Sequence, residues 1–220
     1  FMNLVKEAGG AAFIVRSIVI RFNKQRFVCL VLLSLVMLIP GALTGAGAVT
    51  VLILGAMVGT VLKYMGIPEN RTVAIIFLCA AMSAAAPPVN LWAMMAAAGS
   101  NMPYVGFLHP LLVITVLGSL IAMFTLGWQG KAVNLEKALQ ELPEPPDRMN
   151  WFRVITPFAV FFILVIAGRI WPFQMPILGL PLMFLLSALA MIMLSPKRLP
   201  VIDIATNTIR QLIPLVGIMI

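Results

Sequence analysis

Two short stretches combine helix breakers with neutral oxygen donors and are where a ligand could bind. The first is Pro40-Gly41-Ala42-Leu43-Thr44-Gly45-Ala46-Gly47, in the middle of the apolar run 27–62. The second is Ala86-Pro87-Pro88-Val89-Asn90, inside the apolar run 72–98. Glycine and paired proline interrupt a helix, and unwound backbone within a membrane is tolerated only where protein or a wet cavity satisfies it. The carbonyls of Gly41, Thr44 and Ala86, with the side chains of Thr44, Thr50, Ser83 and Asn90, offer neutral oxygens to a hard cation. Helices restarting near Ala48 and Val89 would point partial positive charge at the same region, which suits an anionic ligand. The structural alternative is a pair of kinked helices with glycine packing and no ligand.

Other chemistries find few residues. The apolar runs contain no Asp or Glu, so a buried titratable proton relay is missing, and neutral oxygens favour Na⁺ as a coupling ion. His109, the sole histidine, stands beside Pro110 at the edge of an apolar run and reads as interfacial. Gly45-Ala46-Gly47-Ala48-Val49-Thr50 lacks the last glycine of a dinucleotide fingerprint, and no phosphate-cradling Walker sequence is present. No acid pair, Ser-His constellation or metal cluster appears, so the chain is read as a non-enzyme with no cofactor.

The elements that must position these residues are membrane helices. The chain has 220 residues, 62% hydrophobic and only 10% charged, too few charges to cover a soluble surface. The formal charge of +8 sits in short loops between apolar runs, which points to a bilayer and away from nucleic acid. Cys29 and Cys79 lie inside apolar runs and read as small hydrophobes. The chain begins Phe1-Met2 and stops within an apolar run, which is the expectation for a fragment of a longer protein.

Six segments follow. Residues 1–26 are an amphipathic arm lying in the interface over 3–22, because Arg16 is ill suited to a spanning helix, with the basic loop Arg21, Lys24 and Arg26 behind it. Residues 27–66 predict a re-entrant hairpin with its tip at 44–48. Its arms, 27–39 and 49–62, have about 13 or 14 residues each, too short for a ~30 Å hydrocarbon core. Residues 67–128 hold the broken helix and the span 107–128. Residues 129–152 form a polar linker whose front half can be a short helix ended by Pro143, Pro145 and Pro146. Residues 153–198 hold two spans, 154–168 and 176–194. Residues 199–220 begin a second amphipathic arm.

With 27–62 folded back on itself, eleven bases fall on the cytoplasmic side, namely Arg21, Lys24, Arg26, Lys63, Arg71, Lys131, Lys137, Arg148, Arg153, Lys197 and Arg198, against Arg169 outside. The two arms, 3–22 and 199–213, hint at an inverted repeat. Gly55 and Gly59 have the small-xxx-small spacing of close helix packing, and Trp128, Trp151 and Trp171 read as interfacial anchors.

The run GGAAFIVRSIVIRF, then IPGALTGAGAVTVLILGAMVGTVLKYMGIPENRT, then AAAPPVNLWAMMAAAG resembles the large membrane subunit of tripartite ATP-independent periplasmic (TRAP) transporters, of the ion transporter superfamily. The resemblance covers 3–128, and 199–220 more loosely. It implies an all-α elevator-type transporter of the bacterial inner membrane, with Na⁺-driven uptake of an organic acid. It also implies two partners, a small membrane subunit and a periplasmic substrate-binding protein. It assigns substrate binding to Thr44, Gly45, Ala46 and Gly47 at the tip and to Pro87, Pro88 and Asn90 at the broken helix. The family tip commonly carries serines where this chain has Ala46 and Gly47, and serine commonly follows its double proline, where this chain has Val89 and Asn90. Two alternatives stand beside this reading: a carboxylate carrier without a binding protein, and a membrane subunit that scaffolds a complex without transporting.

Overall fold

The structure, a computed structural model, describes residues 1–131, 133–170, 179–196 and 199–219, with the backbone alone at 105, 135, 168–170, 180 and 211–219. Trp171, Lys197 and Arg198 lie outside the described residues, as does the side chain of Arg169. Every regular element among the described residues is helical. The chain is a membrane protein, and three of its helical segments are long and apolar enough to cross a bilayer: Arg26–Thr44, Gly47–Tyr64 and Leu108–Gly127. Two compact units divide it, residues 14–143 and residues 1–13 with 144–220. The division falls inside both the N-terminal arm and the 129–152 linker.

The unit 14–143 is built on three elements. Helix α3 (Arg26–Thr44) packs against α6 (Glu69–Ala85) and α8 (Leu108–Gly127), and α6 and α8 pack on each other. In lipid there is little hydrophobic gain when one apolar helix meets another, so close fit of small residues carries the association. Gly127 places the side chain of Leu30 against the α8 backbone, and Gly118 does the same for Met82 of α6. Leu30, Leu33, Met37, Leu43, Ile75 and Met123 fill the space between them and are almost fully buried.

Helix α3 continues past Pro40, which corrects the break expected at Pro40–Gly47. A proline inside a helix costs about 3 kcal/mol through a lost hydrogen bond and a ring clash. The four residues beyond it recover contacts that a break would forfeit: Leu43 is buried, Thr44 Oγ1 donates to Pro40 O at 2.8 Å, and Gly45 N closes the last turn on Gly41 O. The first arm therefore has 19 residues, or about 28 Å at helical rise, rather than 13.

The second arm runs through α4 (Gly47–Thr50), a π-helical stretch (Val51–Gly55) and α5 (Ala56–Tyr64), together 18 residues. Both arms are thus longer than expected, and each is of spanning length by itself.

The two ends of this hairpin are held by one segment. Val133 N donates to Asn23 O at 3.1 Å, Asn134 N to Tyr64 O at 3.2 Å and Lys131 N to Met65 O at 2.7 Å. Beyond them α9 (Leu135–Glu141) is capped by Asn134, whose side chain accepts from Lys137 N. Arg16 Nη1 donates to Leu139 O and Leu142 O, both at 2.9 Å, so the arginine satisfies the carbonyls that end α9.

The arm expected as one helix over 3–22 is two, α1 (Met2–Glu7), which lies in the other unit, and α2 (Gly10–Phe22), which the division cuts after Phe13. Gly9 separates them with φ +84°, and a Cβ there would lie 2.5 Å from the Pro146 ring. Helices α10 (Trp151–Ile170) and α11 (Leu180–Leu194) pack together, with Phe161 stacked on Phe184 at 4.6 Å between ring centroids. Helix α12 (Val201–Met219) lies beside α1, where Asn3 Nδ2 donates to Thr208 Oγ1 at 2.8 Å.

Candidate binding site at the two helix breaks

The first break is a tight turn. Gly45 adopts φ +69°, a conformation that glycine reaches without penalty, and Ala46 is extended. Helix α4 then starts at Gly47, one residue before the expected Ala48. The second break is longer. Helix α6 ends at Ala85, Ala86 is extended, the Pro87–Pro88 bond is cis, and α7 (Leu91–Gly99) starts two residues later than the expected Val89.

The structure brings the two breaks together. Val89 N donates to Ala42 O at 3.0 Å, a backbone bond between them. A Cβ on Gly41 would lie 2.2 Å from Ser83 Oγ, and one on Gly47 would lie 2.6 Å from Ala80 O. Leu91 sits where a Cβ on Gly45 would be. Glycine at 41, 45 and 47 is therefore what lets the hairpin tip touch the end of α6 and the start of α7.

Polar groups at this junction are bonded to each other. Thr50 Oγ1 and Ser83 Oγ are 2.7 Å apart and fully buried. Ser83 Oγ directs its hydrogen to Ala80 O at 2.7 Å, so the hydrogen between the two hydroxyls is that of Thr50. Thr50 Oγ1 is left with lone pairs and no hydrogen to offer. Thr44 Oγ1 is in the same condition, having donated to Pro40 O. The carbonyl of Gly41, expected to be free, accepts from Gly45 N because α3 extends through Thr44.

Asn90 stitches the second break. Its Nδ2 donates to Ala85 O at 2.8 Å, which closes α6, and its Oδ1 accepts from Ala93 N at 3.0 Å, which caps α7. The backbone N of Asn90 donates to the hydroxyl of Tyr104 at 3.3 Å. Tyr104, in the 3₁₀ turn Tyr104–Phe107, is a site residue that sequence reasoning missed, and nothing in its spacing from Asn90 announces it. Among the described residues no buried side-chain nitrogen or oxygen lacks a partner, and no three His, Cys, Asp or Glu gather to hold a metal.

Of the expected site residues, Gly41, Thr44, Gly45, Ala46, Gly47, Thr50, Ser83, Ala86, Pro87, Pro88 and Asn90 all fall at this junction or one turn from it. His109 is exposed in the first turn of α8. Gly55 and Gly59 face Ile76 and line a separate lateral groove of about 740 Å³ between α5 and α6, away from the breaks. Its lining is mostly apolar, with Lys63 and Glu69 among the residues that form it.

Comparison of the chain with family models, with curated proteins and with solved structures returns no match.

Proposed function

We propose that the chain is the substrate-translocating membrane subunit of a secondary transporter, and that the two helix breaks form its ligand site. The observation that supports this most is their meeting: two interrupted helices, each broken by a different device, touch through glycine at 41, 45 and 47. Two independent kinks need no such convergence.

In this reading Thr44 and Thr50 supply hydroxyl lone pairs to Na⁺, since their hydrogens are spent on Pro40 O and Ser83. The start of α7 favours an anionic group through its unpaired amides. Asn90 holds the ends of α6 and α7 in place, and one Oδ1 lone pair remains for a ligand. The substrate class is an organic acid, as the resemblance to TRAP large subunits implies. The same resemblance supplies the small membrane subunit, the periplasmic binding protein, the elevator motion and the bacterial inner membrane, while the inverted repeat rests on the two arms 3–22 and 199–213. A carboxylate carrier without a binding protein uses the same site. The reading as a structural, non-transporting subunit draws on the full pairing of buried polar side chains at the breaks.

Uptake by the intact transporter in proteoliposomes tests the proposal. It should require a Na⁺ gradient and persist when the proton gradient is collapsed at fixed voltage. Thr44→Ala should raise the half-saturating Na⁺ or substrate concentration about ten- to a hundred-fold, as expected for one lost ligand to a charged group. Lys137→Ala, on α9, should leave it unchanged. Uptake driven by protons in Na⁺-free buffer, or parental uptake by Thr44→Ala, would reject the site.

A further inference from the structure

The turn between α2 and α3 and the segment after α8 lie about a hundred residues apart in sequence and are bonded to each other. Val133 N donates to Asn23 O at 3.1 Å, and Arg26 Nη1 donates to Gly130 O at 2.9 Å. The Arg26 guanidinium lies 4.5 Å from the centre of the Phe27 ring and 5.7 Å from that of Trp128. Those two rings are 6.2 Å apart. Arg26 is thereby fixed by a carbonyl and two aromatic faces.

The same two bonded segments carry three exposed cations, Arg21, Lys24 and Lys131. No Asp or Glu occurs in either segment, 21–27 or 127–133. Trp128 and Phe27 are 63% and 47% exposed, so an apolar surface adjoins the charges. A helix of spanning length begins at Arg26 and another ends at Gly127, which puts the cluster at a membrane–water boundary. Exposed cations beside exposed aromatic rings at such a boundary match the chemistry of a phospholipid that carries net negative charge.

We propose that Arg21, Lys24 and Lys131 bind the phosphate of an anionic phospholipid, that Arg26 positions the two segments, and that Phe27 and Trp128 pack against the lipid chains. This site is independent of the transport reading.

The purified protein in phosphatidylcholine nanodiscs, doped with brominated phosphatidylglycerol or brominated phosphatidylcholine, tests it. The readout is quenching of Trp128, isolated as the difference between the parent and Trp128→Phe. Brominated phosphatidylglycerol should quench at a mole fraction about a hundred-fold lower than brominated phosphatidylcholine, since each of the three cations near the surface contributes about five-fold. Lys131→Gln alone should reduce that preference about five-fold, and Arg21→Gln, Lys24→Gln and Lys131→Gln together should bring it within about two-fold of unity. Removing the same charge elsewhere, through Lys137→Gln, Arg148→Gln and Arg210→Gln, should leave it intact. Equal quenching by both lipids in the parent, a preference kept by the triple variant, or an equal loss in the charge-matched control would overturn the site.

Discussion

The two helix breaks solve one problem by opposite means. The hairpin tip turns in two residues, uses the left-handed conformation of Gly45, and has little side-chain bonding of its own beyond Thr44. The broken helix takes five residues, excludes donors with Pro87 and Pro88, and relies on the carboxamide of Asn90 to close one helix and open the next. The difference shows which part of the junction depends on shape and which on hydrogen bonds. The tip is defined by what is missing, a Cβ at three positions. The broken helix is defined by one side chain.

The comparison predicts a graded response. Gly41→Ala and Gly47→Ala should have the largest effect. The added Cβ would lie 2.2 Å from Ser83 Oγ in one case and 2.6 Å from Ala80 O in the other, and at Ala80 the obstacle is backbone. Overpacking of this kind costs about 3 kcal/mol. Thermal unfolding in detergent should show it, and a parental midpoint for both variants would mean that the tip does not touch α6.

Asn90→Ala should come next. It removes a cap, about 1 kcal/mol, and strands the Ala85 carbonyl, about another 1 kcal/mol. Asn90→Ser sharpens the contrast, because a serine cap keeps an acceptor for Ala93 N and is too short to reach Ala85 O. It should lose about half as much as Asn90→Ala in the same unfolding measurement. Equal losses would assign the whole effect to the bond with Ala85 O, and none to the cap.

The smallest effect belongs far from both breaks, where the hairpin base meets α9. The Tyr64 hydroxyl donates to Glu141, and Lys63 Nζ lies 3.2 Å from the same carboxylate. These partners, Tyr64 first, hold the Glu141 carboxyl below the usual carboxylate range. A carboxyl lowered by folding adds stability that is full above its unfolded value and is lost as pH falls through its folded value. The difference in unfolding midpoint between the parent and Glu141→Gln should therefore be small at neutral pH and vanish on acidification. A difference that stays constant across the carboxylate range would place the tie elsewhere.

Much of the architecture could be read from the residues. Long apolar runs marked α3, α6, α8 and α10, and Pro87-Pro88 marked the end of α6. Pro40 misled because its cost is local while the gain from burying Leu43 and seating Gly41 on Ser83 is tertiary. The π-helical stretch at Val51–Gly55 had no signal, since its residues are ordinary helix formers. The clamp that Gly130, Lys131, Val133 and Asn134 make on both hairpin ends consists chiefly of backbone hydrogen bonds, which any sequence can form. At the site, Thr50 and Ser83 were legible as oxygens. Their pairing was not, because residues 33 apart meet only once the tip has closed on α6.

The proposed site requires above all that the two breaks meet as one junction in the membrane. Cysteines at Ala46 and Leu91, in a background lacking Cys29 and Cys79, test it most directly, since Gly45 and Leu91 are in contact and Leu91 is 47% exposed. In native membranes a short bifunctional thiol reagent should link the pair within one chain, giving a product absent from either single-cysteine protein. No link between two cysteines that each react with a monofunctional reagent would contradict the account.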